Sequence, residues 1–279
     1  MHAGPISITV LVDDEAREGL NPEHGLSLWI ETGEKHILFD TGQGNVLVEN
    51  ARRLGVPLEK TDIVVLSHGH YDHTGGVPKA LRLAPKMHLV LHPEAAIERY
   101  SLPRRKPAKP IGMPAPSRSI IDRTLDANIT WVLEPTALVS NIWVTGPIPR
   151  ETPFEDVGGP FFLDPRGERN DPIVDDQALW IISREGLIVC LGCAHAGLVN
   201  TVNHVRRLSG NIPLRAVIGG FHLLHADDQR MHQTVEALEA LSPGILVPCH
   251  CTGKRPIETF KNRFKHVKAC FAGAVFRFR

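Results

Sequence analysis

Ser67-His68-Gly69-His70-Tyr71-Asp72-His73-Thr74-Gly75-Gly76 decides the reading of this chain. Three imidazoles and a carboxylate fall between His68 and His73. An extended backbone would throw neighbouring side chains to opposite faces, so these groups gather around a cation only if the chain turns. Gly69, Gly75 and Gly76 permit the tight turns that this requires. Imidazole suits zinc, iron, nickel or copper, and a carboxylate widens the choice to manganese. The loop is expected to hold one or two ions. It supplies too few donors to close two ion shells, so residues distant in sequence must complete them.

The flanking sequence says where those residues come from. Asp62 to Ser67 carries the run Ile63-Val64-Val65-Leu66, which suits a strand buried on both faces. Upstream, Ile6 to Val12 reads as a strand, and Leu26–Glu31 with Lys35–Asp40 reads as a hairpin about Thr32-Gly33-Glu34. The hairpin ends in Asp40-Thr41-Gly42, after which Val46, Val48, Ala51 and Leu54 recur at helical spacing. Lys86 to Leu91 is a further strand. Beyond it come strands at Ala178–Ile182, Leu187–Leu191, Arg215–Ile218, Ile245–Val247 and Ala274–Phe278. Helices between them are marked by Leu198, Val202, Val205 and Leu208, by Met231, Val235, Leu238 and Leu241, and by Ile257, Phe260 and Phe264. Three of these strands run out at His195, His222 and His250. Sites in open α/β sheets form at the carboxyl ends of strands. Four strand ends are therefore expected to bring their histidines to one rim. Asp175 and Asp176 precede a strand and read as its solvated start, with a metal or supporting role for Asp176 as the alternative.

Composition narrows the function classes. Lys+Arg and Asp+Glu both total 31, so a global polyanion-binding surface is not implied and nucleic acid is not an expected partner. No stretch reaches the roughly 20 apolar residues of a membrane span, so no membrane association is expected. Met1 to Val12 lacks the pattern of a secretory leader, which makes the cytoplasm the expected location. The 5 cysteines crowd the C-terminal third and read as reduced thiols, packed in strands or near metal. Cys190 reads as a buried strand residue. Cys249 and Cys251 read as supports of the fold. Residues 101–120 contain Pro103, Pro107, Pro110, Pro114 and Pro116, a density that argues against regular helix or central strand. With Arg104, Arg105, Lys106 and Lys109 they read as a basic surface insertion, or a lid whose Arg104, Arg105 and Lys106 contact an anionic substrate group. Nothing divides the chain, so residues 1–279 are expected to form a single domain. The oligomeric state is not legible.

The His68-to-His73 pattern resembles the HxHxDH signature of the metallo-β-lactamase superfamily, and the strand ending Asp40-Thr41-Gly42 resembles its first motif. The resemblance implies an α/β fold, the αββα sandwich. It implies His68 and His70 on a first metal, Asp72, His73 and His250 on a second, and a supporting role for Asp40. The middle motif departs from the family pattern. Either His195 supplies the third ligand of the first metal, or Cys193 stands at the bridging position as a thiolate; imidazole is the commoner ligand in this fold. Glu23-His24-Gly25-Leu26-Ser27, Gly192-Cys193-Ala194-His195-Ala196-Gly197, Gly219-Gly220-Phe221-His222-Leu223 and Pro248-Cys249-His250-Cys251-Thr252-Gly253 are similar to a narrower group, the 7,8-dihydropterin-6-yl-methyl-4-(β-D-ribofuranosyl)aminobenzene-5'-phosphate synthases.

The expected activity is hydrolysis of a small phosphorylated or pterin-like substrate at a site with two zinc ions, iron or manganese not being excluded by the donor set. Asp72 would bind metal and orient the nucleophile, and His222 would donate to the oxyanion or leaving group. One rival is C–N bond formation between a pterin and an aminobenzoate at the same site, as the narrower resemblance implies. Another is a non-catalytic, metal-dependent ligand-binding protein, against which the full ligand set argues.

Overall fold

The computed structural model describes residues 4–279; Met1 to Ala3, the head of the stretch read for a leader, lie outside the described residues. Period-two alternation organises the whole chain. On the strand Ile6–Val12, Ile6, Ile8 and Val10 face one core while Leu11 and Val12 face another. On Gly186–Leu191, Ile188 and Cys190 join the first core, and Leu187, Val189 and Leu191 turn to a third. Strands that are apolar on both faces need a covering layer on each side.

Those layers are two sheets back to back with helices outside. The first sheet runs Val275–Phe278, Ile6–Val12, Ser27–Glu31, His36–Phe39, Ile63–Val65, His88–Leu91, Ile129–Trp131. The second runs Leu246–Cys249, Leu214–Gly220, Gly186–Leu191, Ala178–Ser183, Ile142–Val144, Thr136–Val139. Ile8, Ile30 and Val65 of the first meet Ile142, Ile181, Ile218 and Val247 of the second in the central core. Helices Leu47–Leu54, Val77–Leu83 and Ala115–Ile121 pack Leu47, Ala51, Val77, Ala80 and Ile121 on the outer face of the first sheet. Helices Leu198–Leu208, Asp228–Leu241 and Lys254–Arg263 pack Val202, Val235 and Phe260 on that of the second. The result is an αββα sandwich.

The strands that feed the site run in parallel. His36–Phe39, Ile63–Val65 and His88–Leu91 are parallel neighbours, as are Gly186–Leu191, Leu214–Gly220 and Leu246–Cys249. Their carboxyl ends turn abruptly. Asp40 (φ 59°), Ala194 (φ 58°), His222 (φ 46°) and His250 (φ 46°) all adopt left-handed backbone. Each such residue costs about 1–2 kcal/mol, and such strain collects where the surrounding structure must aim a side chain.

Three sequence expectations need correction. Proline does not keep residues 101–120 irregular: Tyr100–Ser101 and Lys109–Pro110 pair in a small sheet with Phe161–Phe162, and Ala115–Ile121 is a helix. Pro116 lies in that helix's first turn, where its missing N–H has no intrahelical partner to lose. Ile111, Met113, Ser117 and Ile121 are buried, so this half of the segment belongs to the packed outer layer rather than to an exposed insertion. Cys249 and Cys270 are not free thiols; they form a disulfide with Cα atoms 5.2 Å apart, whereas Cys190, Cys193 and Cys251 remain free. Asp175 and Asp176 are not a solvated strand start, since both are buried and fully engaged, as described below.

Candidate metal centre

Asp40 is the root of the site. It is fully buried at the end of His36–Phe39 and accepts the Ser67 backbone N–H at 2.7 Å and the Ser67 hydroxyl at 2.7 Å. Its Oδ2 also lies 2.7 Å from His73 Nδ1, and Ser67 Oγ lies 2.8 Å from His68 Nδ1. Because the Ser67 hydroxyl donates to Asp40, it accepts from His68. These bonds assign the Nδ1–H tautomer to both His68 and His73 and leave each Nε2 as a lone-pair donor.

The remaining donors converge on those two. His68 Nε2 lies 2.9 Å from His70 Nδ1, and His73 Nε2 lies 3.2 Å from Cys193 Sγ. His195 arrives from the end of Gly186–Leu191. Its Nδ1 bonds the Val157 carbonyl at 2.8 Å, and its Nε2 is buried with no hydrogen-bond partner. Donor atoms of His68, His70 and His195 all lie within 4.8 Å of one another, as do those of His68, His73 and Cys193. His250, from the end of Leu246–Cys249, bonds Asp14 through Nδ1 at 2.6 Å and faces Asp72 Oδ2 through Nε2 at 3.4 Å. Burial, reinforced by the other histidines, holds His68 and His195 well below the ordinary imidazole range, in the neutral form that binds metal. Burial works against the Asp72 carboxylate, yet bonds from His24 and His250 hold it well below the usual range.

This donor set fits divalent metal. Lone pairs that are buried, aimed at one another and short of hydrogen-bond donors are expensive unless a cation fills the space between them. Ligand atoms around a tetrahedral ion at 2.0–2.1 Å lie about 3.3 Å apart, close to the separations seen here. Residues 20–200 match the metallo-β-lactamase superfamily.

The chain belongs to the metallo-β-lactamase superfamily. It is 30% identical, over 98% of its length and 97% of the relative's, to the 7,8-dihydropterin-6-methyl-4-(β-D-ribofuranosyl)-aminobenzene-5'-phosphate synthase of Methanocaldococcus jannaschii. An uncharacterized protein of the same organism is 32% identical over 88% of this chain and 90% of its own length. Among solved structures, a metal-dependent hydrolase of the β-lactamase superfamily superposes with a TM-score of 0.81 and 33% identity, covering 97% of this chain and 98% of the other.

Within this metallo-β-lactamase fold the two alternatives for the middle ligand are not exclusive. His195 groups with His68 and His70, while Cys193 Sγ is common to the groups formed with His68 and His73, with His195 and His222, and with His250 and Cys251. Burial pushes the Cys193 thiol well above its ordinary range, so a neighbouring cation is what would hold it as thiolate. His222 lies against His195, with ring centroids 4.3 Å apart, and its Nδ1 is buried without a partner. Gly158 is required beside it, because a Cβ there would stand 1.9 Å from the His222 ring.

Support comes from Asp176, for which the sequence left a supporting role open, and from Asp175, Arg99 and Asp171, for which it did not. Asp175 accepts the Gly69 backbone N–H at 2.7 Å and pairs with the buried Arg99, which also bonds Asp171. Asp176 accepts the Ala196 N–H at 2.6 Å, and burial raises its carboxyl to about 7. It therefore holds the His195 turn and, among the described residues, its side chain bonds no other site residue.

A cavity of about 1110 Å³ opens over the cluster. Its walls include Tyr71, Ile111, Phe161 and Leu224, with Lys109 and Lys254 at the mouth. The Phe161 ring packs 5.4 Å from both His70 and His195. Lys109 sits 4.8 Å over the Tyr71 ring. Arg104, Arg105 and Lys106 do not line this cavity; they are exposed at the tip of the turn closed by the Lys106 N–H on Pro103 O. Of the basic residues named in that segment, it is Lys109 that lines the cavity, together with Lys254 and Arg255 from the C-terminal helix. His24 and Asp14 are also in the wall, and neither was given a role from sequence.

Proposed function

We propose that the protein is a metal-dependent hydrolase acting on a small phosphorylated, pterin-like substrate. His68, His70 and His195 would hold one zinc ion, and Asp72, His73 and His250 a second, with Cys193 between them. The observation that carries this reading is the convergence of these buried donors on the floor of a cavity walled by aromatic and aliphatic side chains with lysines at its rim. Zinc bound there supplies a water acidified to a pKa of about 7 and a Lewis acid for the scissile group.

The chain's own residues do the rest. Phe161 and Tyr71 offer flat apolar faces to a heterocycle. Lys109 offers an ammonium to a phosphate at the mouth. Asp72, kept ionised by its histidine partners, orients the nucleophile, and His222 holds a proton for the leaving group. Packing of Phe161 against His70 and His195 keeps bulk water from the histidines.

A second reading is C–N bond formation at the same site. It is favoured by the identity to the Methanocaldococcus jannaschii synthase over nearly the whole chain, and the same pocket chemistry serves it. Elemental analysis of protein purified without added metal is the first test. About two zinc equivalents, lost in a His68→Ala/His70→Ala variant, are expected; no metal after reconstitution would sink both readings. Turnover in ¹⁸O-water then separates them, because hydrolysis labels a product and amine condensation does not.

Lys109 gives a prediction on substrate binding. A charge-assisted contact is worth about 1.5–3 kcal/mol, so Lys109→Ala should raise KM for a phosphorylated substrate roughly tenfold or more while kcat holds. The triple variant Arg104→Ala/Arg105→Ala/Lys106→Ala should leave KM within about twofold. Steady-state kinetics on the two variants checks this; a larger effect in the triple variant would reverse the assignment.

A further inference from the structure

Two histidines face Asp72, and only His250 has been given a role. His24 reaches the same carboxylate from the opposite side of the chain. Its Nε2 lies 3.2 Å from Asp72 Oδ2, against 3.4 Å for His250 Nε2. Its Nδ1 lies 2.9 Å from Asp14 Oδ2, and His250 Nδ1 lies 2.6 Å from Asp14 Oδ1. One carboxylate, Asp14, therefore grips the Nδ1 of both rings, one oxygen to each. The ring centroids are 4.7 Å apart.

The backbone around His24 is built to keep it there. Gly25 has φ 143°, and a Cβ on it would stand 2.3 Å from the Asp72 carbonyl. Leu26 N–H bonds that same carbonyl at 3.3 Å. The preceding Glu23 is buried and accepts the N–H groups of Gln43, Gly44 and Asn45, while Gln43 Nε2 donates to the His24 carbonyl at 2.7 Å. The Glu23-His24-Gly25 turn is thus pinned on both sides against the metal loop.

The geometry shows what the two rings and Asp72 can hold together. An imidazole that donates Nδ1–H to Asp14 presents a lone pair at Nε2. The two Nε2 atoms stand 3.2 and 3.4 Å from one Asp72 oxygen, about the separation of neighbouring ligand atoms around a single small cation, so with Asp14 taking both Nδ1 groups the three atoms are placed to close on one ion. A carboxylate that orients a histidine through its far nitrogen is the usual support of a metal-bound imidazole. We propose that His24 is a further ligand of the cation that Asp72 and His250 hold, with Asp14 as the positioning residue shared by both histidines. The proposal rests on the metal reading above and extends it with a ligand from the N-terminal turn. His24 is half exposed and lines the cavity, so it is the ligand of that ion on the substrate side.

Zinc titration in the presence of a competing chelator, on wild type, His24→Ala and Asp14→Asn, tests it. The wild type should bind two equivalents. His24→Ala should keep one equivalent at wild-type affinity and weaken the other by about 100-fold or more, beyond the range of about 10–100-fold for losing an outer partner. Asp14→Asn should weaken the same equivalent. Half-exposed His24 lets the variant fold, and an unchanged melting temperature after chelation checks that. With cobalt in place of zinc, His24→Ala should alter the visible bands of one ion only. Two equivalents at wild-type affinity in His24→Ala, with unchanged cobalt bands, would overturn the proposal and leave the metal reading intact. A wild type that binds no zinc would overturn both.

Discussion

Arg99→Met is expected to destabilise the protein by about 3–5 kcal/mol, the cost of leaving buried charge without its partner. Arg99 is 1% exposed, and its guanidinium bonds Asp171 at 2.8 Å and both oxygens of Asp175. Asp171 and Asp175 are buried as well. Without the guanidinium, two carboxylates remain in a site that water does not reach. Urea unfolding of the metal-free protein measures the loss, and a value below about 1 kcal/mol would show that the pair adds little. Adding Asp171→Asn and Asp175→Asn to Arg99→Met should recover part of the loss, because the stranded charge is then removed.

The same variant should loosen the metal loop. Asp175 Oδ2 accepts both the Arg99 guanidinium and the Gly69 N–H, and Gly69 separates His68 from His70. A Cβ on Gly69 would meet Ala95 O at 2.0 Å and Arg99 Nη1 at 2.4 Å, so the loop lies directly on the ion pair. If zinc sits among His68, His70 and His195 as proposed, its affinity there is expected to fall along with stability.

What was legible in the sequence follows from how local each signal is. The strand ends at His195, His222 and His250 were readable because each apolar run breaks at Gly192-Cys193, Gly219-Gly220 or Pro248-Cys249 just before a histidine, and parallel strands bring those ends to one rim. The αββα layering followed from strands apolar on both faces. The hairpin Thr136–Val139 with Ile142–Val144 and the small sheet around Phe161 were not readable: Ile142–Val144 alternates over three residues only, while Thr136–Val139 and Phe161–Phe162 are partly exposed and show no clean alternation. The Cys249–Cys270 disulfide and the Arg99–Asp175 pair join residues 21 and 76 positions apart, and spacing alone cannot announce such partners. Asp175 and Asp176 misled for a related reason: acidic pairs before a strand are usually solvated, and only Arg99 and two backbone N–H groups make these two tolerable when buried. His24 stood in a motif quoted for its resemblance, yet nothing within twenty residues of it says that Gly25 would rest on the Asp72 carbonyl.

In the metal-dependent reading proposed above, Asp72 holds an ion and Asp40 holds the ligands. Asp72 is the carboxylate that both His24 and His250 face, and it is 6% exposed beneath the cavity. Asp72→Ala should remove one zinc equivalent outright and cut turnover by more than the roughly 100-fold that marks the upper end of losses from outer residues. Asp72 lies at the cavity floor, with His24 half exposed and both histidines still held by Asp14, so the melting temperature of the metal-free protein should fall less than in Asp40→Ala. Asp40→Ala takes away no ligand. It strips the Ser67 N–H, the Ser67 hydroxyl and His73 Nδ1 of their common acceptor. Zinc affinity should then fall about 10–100-fold, and the metal-free protein should lose about 1–3 kcal/mol for donors left buried without a partner. Chelator-competed zinc titration and urea unfolding on the two variants give opposite orderings, Asp72→Ala worse for metal and Asp40→Ala worse for the empty fold. The same ordering in both measurements would mean that Asp72 is part of the scaffold and that the second ion is held elsewhere.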